Sequence, residues 1–223
     1  MTHDTSKDPR ILVAHHACAR LQRAAQQKSG VKLSVSKEKL VELASSADSA
    51  VMTLMYMYQE PRDLVGSDPM SDLQGTTGAL TEALEPLLAS ESAPALLKAN
   101  FAWCLRTLSG LPSRLDGPAG SMAAGVDLVA VQVRNVTMIG TLWRTRVSDG
   151  ETEYTVVTNI PGVRVGDVMA VAFLPPREVG GEISEAMFLG DEKRGESPGS
   201  HLTAEQIDAR EAAAIMHEEL EHR

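Results

Sequence analysis

The run Val129-Ala130-Val131-Gln132-Val133-Arg134 is where the apolar residues of this chain change their spacing. Three valines alternate with Ala, Gln and Arg, so every second side chain is apolar, the period of a strand with one buried face. Further strands follow at residues 141–147, 154–158 and 168–174, the last ended by Pro175-Pro176, with a short one at 186–189. Ser148-Asp149-Gly150-Glu151 is the hairpin turn between the second and third, because Asp-Gly tolerates the positive φ that a tight turn demands.

Upstream of this run the spacing is helical. Ile11, Ala14, Cys18, Leu21 and Ala25 form one face of a first helix, with His16, Arg20, Arg23 and Gln27 opposite, and Ser29-Gly30 ends it. Ser36 is the expected N-cap of a second helix through Leu40, Leu43, Ala47, Val51 and Leu54, which stops before Glu60-Pro61. Gly, Pro, Asp and Ser punctuate residues 65–75, which predicts a loop. A third helix is expected over 80–88, and a fourth from Ser92, with Pro94 in its first turn, to about Leu108. Residues 109–125 hold Gly110, Pro112, Gly117, Pro118, Gly120 and Gly125, a linker composition. After Ser197-Pro198-Gly199 an acidic, Ala-rich tail predicts a helix over 203–220, with Ile207, Ala214 and Ile215 as a weak apolar stripe.

Five short strands with tight turns fit a small barrel of the OB kind better than a sandwich, which needs more strands. The expected fold class is therefore α+β in two parts. A helical domain at 1–110 and a Gly/Pro linker at 111–125 precede a five-stranded OB-fold β-barrel at 126–194, and an acidic C-terminal helix occupies 195–223.

Composition bounds the function. With 223 residues, 43% of them hydrophobic, the chain is long enough to bury a core in each part, and no apolar run reaches the length of a membrane span. The first residues lack the basic-then-apolar layout of a signal peptide. Cys18 and Cys104 sit within helical apolar patterns and read as buried free thiols of a reducing compartment, so a cytoplasmic protein is expected. The net charge of −9 is uneven: residues 1–39 carry eight Lys or Arg against three acids, residues 125–194 seven against ten. A nucleic-acid binder usually shows a basic stripe, because neutralising phosphates releases counterions. Only the N-terminal stretch has one, which counts against strong nonspecific RNA binding.

The barrel carries a more specific pattern. Val156-Val157-Thr158-Asn159-Ile160-Pro161-Gly162-Val163-Arg164-Val165-Gly166-Asp167 leads into the apolar run from Val168 to Ala172, and Gly180-Gly181-Glu182-Ile183-Ser184-Glu185-Ala186-Met187-Phe188-Leu189-Gly190 follows. This resembles the tRNA-binding domain family, the OB-fold domain of methionyl- and phenylalanyl-tRNA synthetases and of free-standing tRNA-binding proteins, over residues 126–190. In that family a strand, a polar turn with an Asn and a Val-x-x-Gly element precede a closing Gly-x-x-Ser-Glu-Gly-Met signature. Ala186 stands where the signature has its second Gly. Val136-Thr137-Met138-Ile139-Gly140-Thr141-Leu142 replaces the family's His-Pro-x-Ala-Asp-x-Leu, of which only the Leu survives. The resemblance implies that Ser184, Glu185 and Met187 lie on the rim where relatives meet the tRNA elbow, with Asn159 in the preceding turn. It also implies an aminoacyl-tRNA synthetase as a partner and a homodimer as an assembly.

Each candidate has an ordinary structural reading beside the functional one. Ser184 and Glu185 could close the barrel by satisfying backbone N–H groups while Met187 fills the core. Arg144 and Arg146 alternate with Trp143 and Thr145, so both point to one face, where with Arg164 or Arg177 they could hold a phosphate backbone. The ordinary reading pairs them with Glu151 and Glu153 across the hairpin. Trp143, Phe173 and Phe188 could stack bases, although core packing is the commoner use of so few aromatics. His15-His16 are not a metal pair, because adjacent helix positions diverge by about 100°, and His217 and His222 lack partner ligands at useful spacing. There is no phosphate loop, nucleophile elbow or triad spacing, and no residue set calls for a metal or cofactor. The leading expectation is a noncatalytic protein that binds tRNA or another structured RNA by shape and backbone. The alternative is a protein-interaction, assembly or chaperone-like module whose barrel no longer binds RNA.

Overall fold

The computed structural model describes residues 3–221, which divide into two compact units, Met1–Gly125 and Val126–Arg223. In the first, α1 (Pro9–Gln26), α2 (Lys37–Met55), α4 (Asp68–Ala89) and α5 (Ala95–Ser109) pack around one core, joined by the short α3 (Pro61–Val65) and α6 (Leu111–Asp116). The apolar face of α1 is the one its spacing predicts: Ile11, Ala14, Cys18, Leu21 and Ala25 are all buried. Ser36 caps α2, its hydroxyl accepting from the Lys39 N–H at 3.2 Å. Both cysteines are buried free thiols, and burial raises the Cys104 thiol pKa to about 12.

The expected loop at 65–75 is instead the start of α4. Ser67 is its N-cap and Pro69 lies in its first turn, so the punctuating residues begin a helix rather than break one. Gly75 and Gly78 fall inside it, each less favourable than Ala by about 1 kcal/mol. A continuous buried stripe through Met70, Leu73, Leu80, Leu84 and Leu87 outweighs them, each leucine contributing about 1.5–3 kcal/mol on burial. Pro86 inside α4 cannot donate to the Glu82 carbonyl. The Ser34 hydroxyl reaches that turn from outside, 3.5 Å from the Glu82 oxygen and 3.3 Å from that of Ala83.

His16, expected on the polar face of α1, is buried edge-on against the Trp103 ring at 6.0 Å between centroids, because α5 covers that side of α1 as well. The 111–125 stretch is no linker either. Leu111 and Leu115 are buried, and Gly125 lies so close to α1 that a Cβ there would stand 2.6 Å from Val13 Cγ2 and 2.7 Å from the Pro9 carbonyl. Its glycine serves close packing, not freedom.

Arg10 and Asp8 are the least expected members of this core. Asp8 caps α1 and holds Arg10 through two hydrogen bonds, Nε to Oδ1 at 2.9 Å and Nη2 to Oδ2 at 2.6 Å, with both side chains essentially solvent-free. Arg10 Nη1 also donates to the carbonyls of Arg114, Leu115 and Gly117 at the end of α6. One buried guanidinium therefore ties the beginning of this unit to its end.

The second unit is a five-stranded antiparallel sheet in the order β3-β2-β1-β4-β7, formed by β1 (Leu128–Ile139), β2 (Leu142–Ser148), β3 (Glu153–Thr158), β4 (Val168–Ala172) and β7 (Met187–Lys193). A hairpin of β5 (Arg177–Val179) and β6 (Glu182–Ser184) intervenes before β7. The long first strand pairs with both β2 and β4, so the sheet curls into a partly open barrel of the OB type. Val129, Val131, Val133, Val147, Val156, Val171, Phe173 and Phe188 fill it. Arg134 is the extra residue of a β-bulge, after which Val136 rather than an odd-numbered residue faces the core.

The tail is not a separate piece. Gly199 N–H donates to the Ala130 carbonyl, Ala130 N–H to Ser200, and Leu202 N–H to Leu128, all within 2.9 Å, so residues 199–202 line the first half of β1. Residues 203–209 are turns, and α7 (Arg210–Glu221) starts later than the composition predicts, burying Ala212 and Met216. Gly199 has φ +90°, and an added Cβ would stand 2.5 Å from the Asp149 carbonyl. Gly199→Ala is expected to lower the stability of this unit by about 1–3 kcal/mol, measurable as a lower urea midpoint at unchanged slope.

Candidate nucleic-acid interface

The outward face of β1-β2-β3 is set by register. Thr145 and Val147 point into the barrel, so Arg144 and Arg146 point out. Arg144 stands between Thr137 of β1 and Val157 of β3, and Arg146 between Asn135 and Thr155. The two guanidinium-bearing positions are about 6.6–6.8 Å apart along the strand. Their expected partners across the hairpin are not where the sequence reading put them. Glu153 is opposite Ser148, and the Arg144 guanidinium instead meets Glu182 of β6, Nη1 to Oε1 at 2.9 Å. Arg146 is exposed, its Nη1 3.4 Å from Thr155 Oγ1.

Ser184 and Glu185 bind the open edge of β3. Ser184 Oγ accepts from the Val157 N–H at 3.0 Å and donates to the Ala186 carbonyl at 2.9 Å. Glu185 Oε2 accepts from the Thr155 N–H at 2.7 Å, while its own N–H donates to the Thr155 carbonyl at 2.8 Å. Two side chains thus replace the ladder that a further strand would supply, and they join β3 to the segment leading into β7. The Cβ of Ala186 sits within the barrel core, so the alanine is accommodated where the family signature has glycine.

Beside this latch lies a groove of about 440 Å³ whose lining includes Leu142, Val157, Asn159, Arg177, Ser184 and Met187. Asn159 and Arg177 are exposed there and Met187 is half-buried. The structure therefore brings Asn159, Arg177, Ser184 and Met187 to one groove, and Arg144 and Arg146 to the adjoining outer face. Glu185 is on the β3 edge. Arg164 lies elsewhere, in the turn at 161–167, where its N–H donates to Asp167 Oδ2 at 2.9 Å. A hydrogen bond from Lys193 holds the Asp167 carboxyl below its usual range, outweighing the opposing effect of desolvation. Phe173 and Phe188 are buried, with Tyr154 edge-on to Phe173 at 4.7 Å, whereas Trp143 is only half-buried.

Glu182 and the β5–β6 hairpin were not anticipated from the sequence. The available signal was Gly180-Gly181 between Glu178-Val179 and Glu182-Ile183, a two-glycine hairpin turn whose φ angles are +62° and +82°. Among the described residues no helix is long and apolar enough to cross a membrane, and no cluster of three or more His, Cys, Asp or Glu could hold a metal ion. His217 meets Glu221 at 3.2 Å, and His222 lies outside the described residues. A family model described as an alpha helical domain matches residues 1–117. No curated protein matches the chain.

Proposed function

We propose that this chain, which belongs to the alpha helical domain family, is a noncatalytic RNA-binding protein whose barrel takes tRNA or another structured RNA by shape and backbone. The observation that carries this reading is the pair of outward arginines, Arg144 and Arg146, on the second strand of an OB-type barrel beside the Arg177 hairpin. OB barrels generally use the face of strands 2 and 3, together with the loops flanking it, to bind oligonucleotides. Phosphates would take charge-assisted hydrogen bonds from both guanidinium groups. The Arg144–Glu182 pair is partly exposed, so exchanging the carboxylate for a phosphate costs at most about 1 kcal/mol.

The test is binding of total tRNA by the full chain, followed by anisotropy from about 50 to 200 mM salt. Expected is saturable binding that weakens with salt. Replacing Arg144 and Arg146 together by Ala should weaken it at least about tenfold and lower the log–log salt slope by about 2. Absence of binding at the lowest salt, or an unchanged double variant, would overturn the reading. One observation favours an assembly module instead: the barrel segment 125–194 has an acid surplus, and one of those acids, Glu182, already occupies Arg144. On that reading the same face meets a protein, such as a synthetase or a second copy of this chain, and tRNA binding is nil.

A further inference from the structure

The helical unit contains a mostly apolar pocket of about 420 Å³ that is open to solvent on one side. Its walls are Ala24 and Ala25 from α1, Leu40 from α2, Leu87 from α4, and Leu97 and Phe101 from α5. A strap, residues 28–36, runs across it. Val31, Leu33 and Val35 are half-buried while Lys32, Ser34 and Ser36 are exposed, the alternation of an extended segment laid on an apolar floor. The strap is fastened at two points, by Ser34 Oγ on the α4 carbonyls and by Lys37 Nζ on the Gln26 carbonyl at 2.6 Å.

Cavities of this size with apolar walls and a few placed polar groups are typical of small-molecule sites. The charged groups here have one sign. Lys28 and Lys37 line the cavity, no lining residue is acidic, and both lysines belong to the stretch 1–39 in which bases exceed acids by five. We propose that the cavity binds an aliphatic carboxylate of medium chain length, with its hydrocarbon among Leu40, Leu87, Leu97 and Phe101 and its head group at Lys28 and Lys37. An apolar chain accounts for the walls, and a single negative charge accounts for the two lysines at the mouth. A cationic head would be repelled by both lysines, and an uncharged head would forgo the charge-assisted bonds they can donate.

Decanoate titrated into the full chain by calorimetry, well below micelle-forming concentration, tests this. Expected is 1:1 saturable binding, about tenfold tighter than octanoate because two further methylenes are buried. Decanol should bind at least fivefold more weakly, and decyltrimethylammonium not at all. Lys28→Glu, which leaves the bond from Lys37 to Gln26 in place, should weaken decanoate at least fivefold. Leu33→Trp, which fills the cavity from the strap, should abolish binding, with circular dichroism showing both variants folded. No saturable decanoate binding, equal binding of the cationic analogue, or unchanged affinity in both variants would overturn the proposal.

Discussion

Replacing Arg10 by Met is expected to destabilise the helical unit by about 3–5 kcal/mol, the range for removing one member of a buried ion pair. The loss has two sources. Asp8 keeps a negative charge with a side chain at 0% exposure and only His3 beside it, and the Leu115 and Gly117 carbonyls lose the guanidinium that satisfies them, while that of Arg114 keeps the Gly117 N–H. Urea unfolding monitored by Trp103 fluorescence checks this, in a Trp143→Phe background so that only the helical unit reports. The effect should depend on pH in a defined direction. Burial opposes ionisation of Asp8, yet the hydrogen bonds and charge of Arg10 overcome it and hold the carboxyl below its usual range. A depressed folded-state pKa contributes stability that is complete above the ordinary aspartate value and lost as pH falls through the folded value. The gap between the two proteins should therefore begin to narrow as pH falls towards the ordinary aspartate value of about 4, where buried Asp8 becomes neutral in the variant first, and narrow further as pH falls through the depressed value of the parent. Asp8→Asn combined with Arg10→Met, which keeps an N-cap and removes both charges, should recover part of the loss.

The second large effect is expected at the barrel latch. Ser184→Ala with Glu185→Ala strips the partners from the Val157 and Thr155 N–H groups and from the Ala186 carbonyl. Unmade bonds of this kind cost about 1–3 kcal/mol each where the group stays buried, and β3 is only half-buried at its edge, so about 3 kcal/mol in all is expected. Trp143 fluorescence in a Trp103→Phe background reads this unit alone. The result also bears on RNA binding. If Ser184→Ala weakens tRNA binding only in proportion to the fraction unfolded, the residue holds the barrel shut. A loss beyond that fraction would place its hydroxyl against the ligand.

Much of the fold was legible because burial on one face imposes a period, clean in α1, α2 and the first half of β1, while β4 shows as a continuous apolar run ended by Pro175-Pro176. The five strands, the Ser36 cap and the outward orientation of Arg144 and Arg146 all follow from that alone. What escaped has a common cause. Ser67, Pro69, Gly110, Pro112 and Gly125 are punctuating residues, and such residues serve helix starts and close packing as readily as loops. Local composition cannot separate these uses, because the deciding partners are far away in sequence: Val13 for Gly125, Arg10 for the end of α6. The same distance hid the match of Arg144 with Glu182, 38 residues on. Of the candidate site, Asn159, Arg177, Ser184 and Met187 do share a groove, whereas Arg164 lies in a separate turn, its backbone N–H on Asp167.

The hydrogen bonds that residues 199–202 make to Leu128 and Ala130 also decide how this barrel can be inherited. Those β1 groups have β4 on one side, and the other side is left open where β2 has already turned away. A piece of the chain cut after β7 would contain every strand and still expose a bare edge, the kind that recruits strands from neighbouring molecules. The smallest portable unit for recombination, excision or grafting therefore extends past Leu202, and shuffling events that respect only the five strands would be selected against as aggregating.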